Sequence, residues 1–448
     1  MDHLSTLPIV ALSKRIREGT TTSEAVTTDC LEQIAHNSAR LNAFITVLGE
    51  SALADARKAD HEIRAGNDRG PLHGIPVSLK DLIDLSGTPT TAASRVRHGS
   101  IARRDAPLVT HLKKAGAVLI GKCNLHEFAY GATSDESAFG PVRHPLDTTR
   151  SPGGSSGGSA VAVATGMCLA SVGTDTGGSI RIPSAICGVV GLKPGRREVS
   201  CTGIVPLSWS LDHAGPMART VEDAWMLFNA LRGEALPPLD AFPSTLDCRL
   251  GVPRDYFLDV LEDEVRARFE ESARRLRDAG ANIEDVRIPH AADTAAVYVH
   301  IAAPEAAAYH APAIERYPDL YTPNVRLRLE AGRYLLAEDY VRAQRGREVL
   351  RREVDEALDG RDGLLLPTVP IPAPTIGATE LEISGRTHTV RSLLLRLTQL
   401  FNLTGHPAIS LPAGVTSQGL PCGIQLVGAL GGTERLLALA RACEQQLR

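Results

Sequence analysis

Apolar positions along this chain switch repeatedly between a helical period and short unbroken runs. Residues 22–36 space their apolar side chains as one face of a helix, with Thr22 or Ser23 where an N-cap is expected. A second helix is predicted over 105–115, opened by Asp105 and stopped by Gly116, and an apolar run at 117–120 follows as a buried strand. Residues 77–79 form another short apolar run that ends on Lys80. Further on, strand 248–252, charged amphipathic helix 263–279, Gly280 and strand 282–286 make a βαβ-like unit. Residues 363–366, 408–411 and 423–427 are further strand candidates, and Thr433 opens a last helix to 447. The Pro-rich 367–374 reads as a loop after a strand, and 302–343 as a long helical insertion. Such alternation predicts an α/β fold, a large sheet covered by helices. Length alone allows about three domains. The chemical motifs, spread from Gly74 to Gly428, must converge and so argue for one.

The chemistry begins with two glycine clusters that carry serines. GGSSGGS spans 153–159 and TDTGGSIR spans 174–181. Glycine suits backbone that approaches a ligand closely or turns through positive φ. Two such clusters suggest backbone N–H groups that grip developing negative charge. Gly/Ser runs also serve as flexible linkers. The intervening AVAVATGMCLASV is small and apolar, however, and reads as buried structure. Upstream, LHGIPVSLKD (72–81) delivers Lys80 to the end of an apolar strand. Desolvation there disfavours the ammonium and lowers its pKa from about 10.4, and a neutral lysine is a competent general base. The alternative is a surface lysine paired with Asp81 or Asp84, which this segment taken alone favours, since most lysines are solvated.

Competing motifs fail. GGSSG at 153–157 matches G-x-S-x-G, but the preceding PLDTTRSP is no apolar strand. Neither cluster continues to G-K-[ST], as a phosphate-binding loop requires. No spacing supports a triad of His213 with a carboxylate such as Asp135, and His126 and His144 read as packing or hydrogen-bonding near the site. No His/Cys/carboxylate cluster has metal spacing and HExxH is absent, so neither metal nor organic cofactor is expected. Cys187 reads as a small core residue.

Taken together, GIPVSLKD (74–81), GGSSGGS (153–159) and GTDTGGSIRIP (173–183) resemble the amidase signature family of serine hydrolases, with Ser155 and Ser179 at the family's spacing of 24 residues. LDHAGPMART, GHPAISLPAG and GLPCGIQLVG carry the resemblance nearly to the C-terminus. It implies a single domain over 1–448 with a large mixed sheet covered by helices on both faces. The catalytic core would lie at about 70–220 and a variable helical cap at about 298–345. It implies that Ser179 is the nucleophile, that Ser155, preceded by a cis peptide bond, relays the proton, and that Lys80 is the base. The oxyanion hole would be the N–H groups of Thr176, Gly177, Gly178 and Ser179. Asp175 and Arg181 would form a buried ion pair that fixes the loop, and Ser159 would bond into the Lys80–Ser155 relay. The chemistry implied is cleavage of small-molecule amides, extending in some members to esters and carbamates, that is, urethanes. Within the family the rival is the glutamine-hydrolysing component of a tRNA-dependent amidotransferase, which needs further protein partners. The chain is short for that role, and PNVRLRLEAG and LKPGRREV depart from its usual pattern. A non-catalytic binding protein on the same fold is disfavoured because Lys80, Ser155 and Ser179 are all present.

A net charge of −4, interleaved and without a basic tail, fits neither nucleic acid nor an anionic membrane as partner. The N-terminus does not look like a signal peptide, and the longest uncharged run is too rich in Gly and Ser to span a bilayer. Eight cysteines without paired spacing suit a reducing compartment, hence the cytoplasm. Monomer and homodimer both remain open. Specificity is expected from 130–134, 204–209, 298–329 and 395–401, with Tyr130, Gly131, Gln399 and Phe401 as candidate contacts. An arginine in the pocket would favour carboxylate-bearing substrates such as malonamate or ureido acids. Leu395, Leu397, Leu400 and Phe401 instead suggest an apolar wall suited to aryl amides, anilides or urethanes.

Overall fold

The computed structural model describes residues 3–234 and 246–447. Its strands are β1 (Phe44–Val47), β2 (Pro76–Lys80), β3 (Val118–Cys123), β4 (Ala170–Asp175), β5 (Val190–Lys193), β6 (His213–Ala218), β7 (Arg249–Pro253), β8 (Asn282–Val286), β9 (Gly363–Pro367), β10 (Glu380–Ile383), β11 (Arg386–Thr389), β12 (Ala408–Val415) and β13 (Pro421–Val427). Eleven of them form one mixed sheet in the order β1-β3-β2-β4-β6-β5-β12-β13-β9-β7-β8, while β10 and β11 make a separate hairpin. Two parallel sets, β3-β2-β4 and β9-β7-β8, flank antiparallel pairings through β6, β5, β12 and β13. The inner strands β2, β4, β5 and β6 are buried along their whole length, which requires helices on both faces. One continuous core runs through Leu79, Val172, Leu192, Ile409 and Ile424.

Most of the predicted elements form. The first long helix runs Ser23–Leu41, and the Thr22 hydroxyl accepts the Ala25 N–H at 3.0 Å. An unforeseen helix, Gly49–Arg64, follows; the second predicted helix begins at Pro107 rather than Asp105, because proline suits the first helical position. Asp105 instead accepts from Ser86 N–H and Lys113. The segment between the two glycine clusters is a buried helix, Gly157–Ala164, followed by β4. Strands β1, β4, β5, β6, β10 and β11 are additions to the predicted set.

Strands β2 and β4 are parallel neighbours, with Leu79 opposite Val172, so their carboxyl ends emerge side by side. Lys80 closes β2 and Asp175 closes β4. The chain around Ser155 and Ser179 loops over that edge of the sheet and leads into helices Gly157–Ala164 and Arg181–Cys187. Helices Thr294–Arg316, Pro323–Gly332 and Ala337–Leu358 form a separate layer packed against the short helix Gln399–Thr404.

Candidate active site

The Lys80 amine lies 2.7 Å from both Ser155 Oγ and Thr174 Oγ1 and is wholly buried. Burial lowers its pKa from 10.5 to about 7, against the opposing charges of Asp175 and Asp212. The adjacent Asp81 is 2.8 Å from Lys122 instead. The surface-lysine reading therefore fails: β2 points Lys80 inward, and its aspartate neighbour is taken.

The loop after β4 is fixed by a buried polar network. Asp175 Oδ1 accepts from Gly178 N–H at 2.8 Å and from Arg181 Nη2 at 3.0 Å, while Oδ2 accepts from Ile180 N–H at 3.1 Å and Arg181 Nε at 3.0 Å. The Arg181 guanidinium holds the Asp175 carboxyl well below the usual carboxylate range, although burial pulls the other way. Arg181 also donates to Asn402 and Gln425, and Asn402 returns a bond to Asp175. Thr176 Oγ1 donates to Asp212 at 2.6 Å, and burial pushes the Asp212 carboxyl up to about 6.

The first glycine cluster is tied to the second by Ser156, whose N–H donates to Ser179 O at 3.2 Å and whose hydroxyl donates to Thr174 O at 3.1 Å. Gly154 takes φ +56°, and a Cβ there would stand 2.2 Å from Pro183 Cδ. Ser179, barely exposed, borders a narrow crevice shared with Tyr130, Gly131, Gly177, Tyr298 and Arg391. Through Tyr130, Tyr298, Arg391 and Leu395 the crevice continues into a cavity of about 210 Å³, which Gln399 also lines. A roomier cavity, about 560 Å³, lies along Cys248, Arg361 and residues 428–432 and shares no residue with this one.

A family profile described as Amidase matches residues 25–437. The chain belongs to the amidase family. It is 39% identical to an amidase of Pseudomonas putida, over 94% of this chain and 92% of that protein. It is 36% identical to the A component of the glutamyl-tRNA(Gln) amidotransferase of Syntrophus aciditrophicus, over 99% of this chain and 98% of that one. A crystal structure of an amidase superimposes with TM-score 0.93 at 40% identity, covering 99% of this chain and 100% of the other.

Several expectations for an amidase are corrected here. Among the described residues no peptide bond is cis; Gly153 and Gly154, both at positive φ, turn the chain before Ser155. Gly178 leaves the expected oxyanion set because its N–H is held by Asp175. The N–H groups of Thr176, Gly177 and Ser179 have no internal acceptor among the described residues. Ser159 Oγ makes no hydrogen bond to the relay; its side chain lies by the Cys123 thiol. Thr174, not foreseen, takes the second hydrogen bond of Lys80. His144 bonds Ile186 O at 3.0 Å, but His126 is buried with neither ring nitrogen hydrogen-bonded. Phe401, Leu397 and Leu400 are core residues; Phe401 stacks on Phe257 at 6.4 Å and does not reach the cavity. Only Leu395 of the supposed apolar wall lines it. Arg391, which the apolar reading overlooked, stands in its place.

Proposed function

We propose that this amidase-family enzyme is a free-standing hydrolase of small-molecule amides. Ser179 is the nucleophile, Ser155 the proton relay and Lys80 the base. The observation that carries this reading is the desolvated Lys80 amine, 2.7 Å from the Ser155 hydroxyl, beneath the loop that presents Ser179 to the cleft. A serine hydroxyl needs an adjacent base to attack an amide, and Ser–Lys pairs serve that logic. With Lys80 neutral, Ser179 Oγ bonds to the acyl carbon and its proton passes to Ser155, whose own proton passes to Lys80. The carbonyl oxygen, now negative, is received from among the free N–H groups of Thr176, Gly177 and Ser179. One such donor is worth about 2.7–4 kcal/mol. The proton returns through Ser155 to the leaving nitrogen as the C–N bond breaks. Water then hydrolyses the acyl-serine ester by the same relay and restores Ser179.

The helical layer at about 298–345 is the cap of this site, through Tyr298, Ala302 and Ala303 on the cavity wall. Esters and carbamates pass through the same acyl-enzyme chemistry. All eight cysteines are unpaired, which supports a reducing, cytoplasmic setting. No helix among the described residues is long and apolar enough to cross a membrane.

The near-complete overlap with an amidotransferase component keeps that second reading in play. The test is a hydrolysis panel on the purified chain alone: aliphatic amides, an anilide, a p-nitrophenyl ester, an aryl carbamate, malonamate and glutamine, each beside Ser179→Ala. Serine-dependent turnover of several non-glutamine amides supports the free-standing enzyme. Turnover of glutamine only, or none until partner proteins are supplied, moves the weight to the amidotransferase.

A further inference from the structure

Among the described residues the Arg391 guanidinium has neither an acidic partner nor a hydrogen-bond acceptor, and its Nε is shielded from solvent. Buried donors in folded proteins are nearly always satisfied, so one that is not calls for a partner from outside. Arg219, Arg361 and Arg396 also carry an Nε without a hydrogen bond, but each is engaged otherwise. Arg219 donates to Val163 O, Arg361 faces Glu284 at 2.8 Å, and Arg396 donates to Tyr256 O while lying over its ring. Arg391 alone of these four has no such engagement.

Its position gives that gap a meaning. Arg391 lines both the crevice that holds Ser179 and the cavity of about 210 Å³ behind it. No Asp or Glu lines either space. The nearby Arg328 is spent on Tyr130 O at 2.7 Å and adds positive charge without competing for the cleft. The phenols of Tyr130 and Tyr298 line the same walls, and neither makes an internal hydrogen bond among the described residues. A planar guanidinium flanked by two free hydroxyls matches a carboxylate, which it can hold through two parallel N–H···O bonds. The cavity is smaller than the roughly 300–1,000 Å³ of pockets for drug-sized ligands, so the acid is short.

We propose that Arg391 anchors a carboxylate of the substrate, so that the amide cleaved at Ser179 belongs to a short amido acid. This rests on Ser179 being the nucleophile, and it replaces the aryl amide favoured by the sequence. The charge is bound a few bonds from the scissile carbonyl and orients it toward the serine.

The test is the ratio of kcat/KM for succinamate to that for butyramide, of similar length but uncharged. The wild type is expected to favour succinamate, and Arg391→Gln to lower the ratio about 100-fold, the scale of a charge-assisted bidentate pair. Arg391→Lys keeps the charge without the fork and is expected to retain part of the preference. A ratio cannot be mimicked by partial unfolding, which lowers both rates together. A wild-type enzyme that prefers butyramide, or an Arg391→Gln ratio equal to wild type, overturns the anchor. Ser179→Ala, run alongside, separates the two claims: residual serine-independent turnover of both amides defeats the nucleophile assignment, whereas its loss with an unchanged Arg391→Gln ratio defeats the anchor alone.

Discussion

The loop after β4 and the cleft it faces treat polar groups in opposite ways. In the loop, Asp175 and Arg181 are fully buried and bonded to each other, to backbone N–H groups, and to Asn402 and Gln425 from the other end of the chain. Across the crevice, Tyr130, Tyr298 and Arg391 have polar ends with no internal acceptor. The first arrangement spends its hydrogen bonds on holding one backbone geometry, as preorganised donors require. The second leaves them unspent for a ligand. Lysines repeat the contrast: Lys122 is neutralised by Asp81, while Lys80 is offered only hydroxyls, which suits the proposed base.

Four substitutions test that division, in order of expected effect. Ser179→Ala should lower kcat by about 10⁵–10⁶-fold, the scale seen when a serine nucleophile is removed, with an unchanged thermal melt. Near-normal turnover would remove Ser179 from its role. Lys80→Met should cost about 10²–10⁴-fold, the usual share of a general base. Wild-type kcat/KM should rise with pH through about 7, since the ammonium that prevails below that value cannot accept a proton. The variant should lack this limb; a limb that survives in Lys80→Met assigns it to another group.

Asp175→Asn is a test of the loop's rigidity. Breaking one side of a buried, hydrogen-bonded ion pair costs about 3–5 kcal/mol, which urea unfolding would register, together with lost activity. Full stability would mean the network is less committed than its geometry. Smallest is Tyr298→Phe, expected to change stability by no more than about 0.5 kcal/mol, because the phenol has no internal partner to lose. A large drop in the unfolding midpoint would place Tyr298 with the scaffold instead.

The same division decides what the sequence revealed. The glycine clusters around Ser155 and Ser179 stood out locally, but the surroundings of Lys80 did not: its segment alone favoured a surface lysine, and only the family resemblance put it beside Ser155, where the structure places it. The Asp175–Arg181 pair, six residues apart within the same motif, was likewise expected from the resemblance and is found. Strands β4 to β6 were not legible, since fully buried strands of small residues show no alternation. Nor was the cleft. Arg391 lies just ahead of the expected apolar wall of Leu395, Leu397, Leu400 and Phe401, in a leucine-rich stretch that hides it, but the helix Val390–Arg396 turns Leu394 into the core while Arg391 lines the cleft. Phe401 failed by the same geometry in reverse. Gly178 looked like its neighbours, and only the Asp175 contact shows its N–H is already used.

The most direct test of the central claim is the rate at which an organophosphonate fluoride labels the protein, followed against pH by intact and peptide mass spectrometry. The account predicts one adduct, on Ser179, forming at a rate that rises as pH passes about 7 and Lys80 loses its proton. An adduct on a different serine, or labelling of Ser179 at a rate independent of pH, would contradict it.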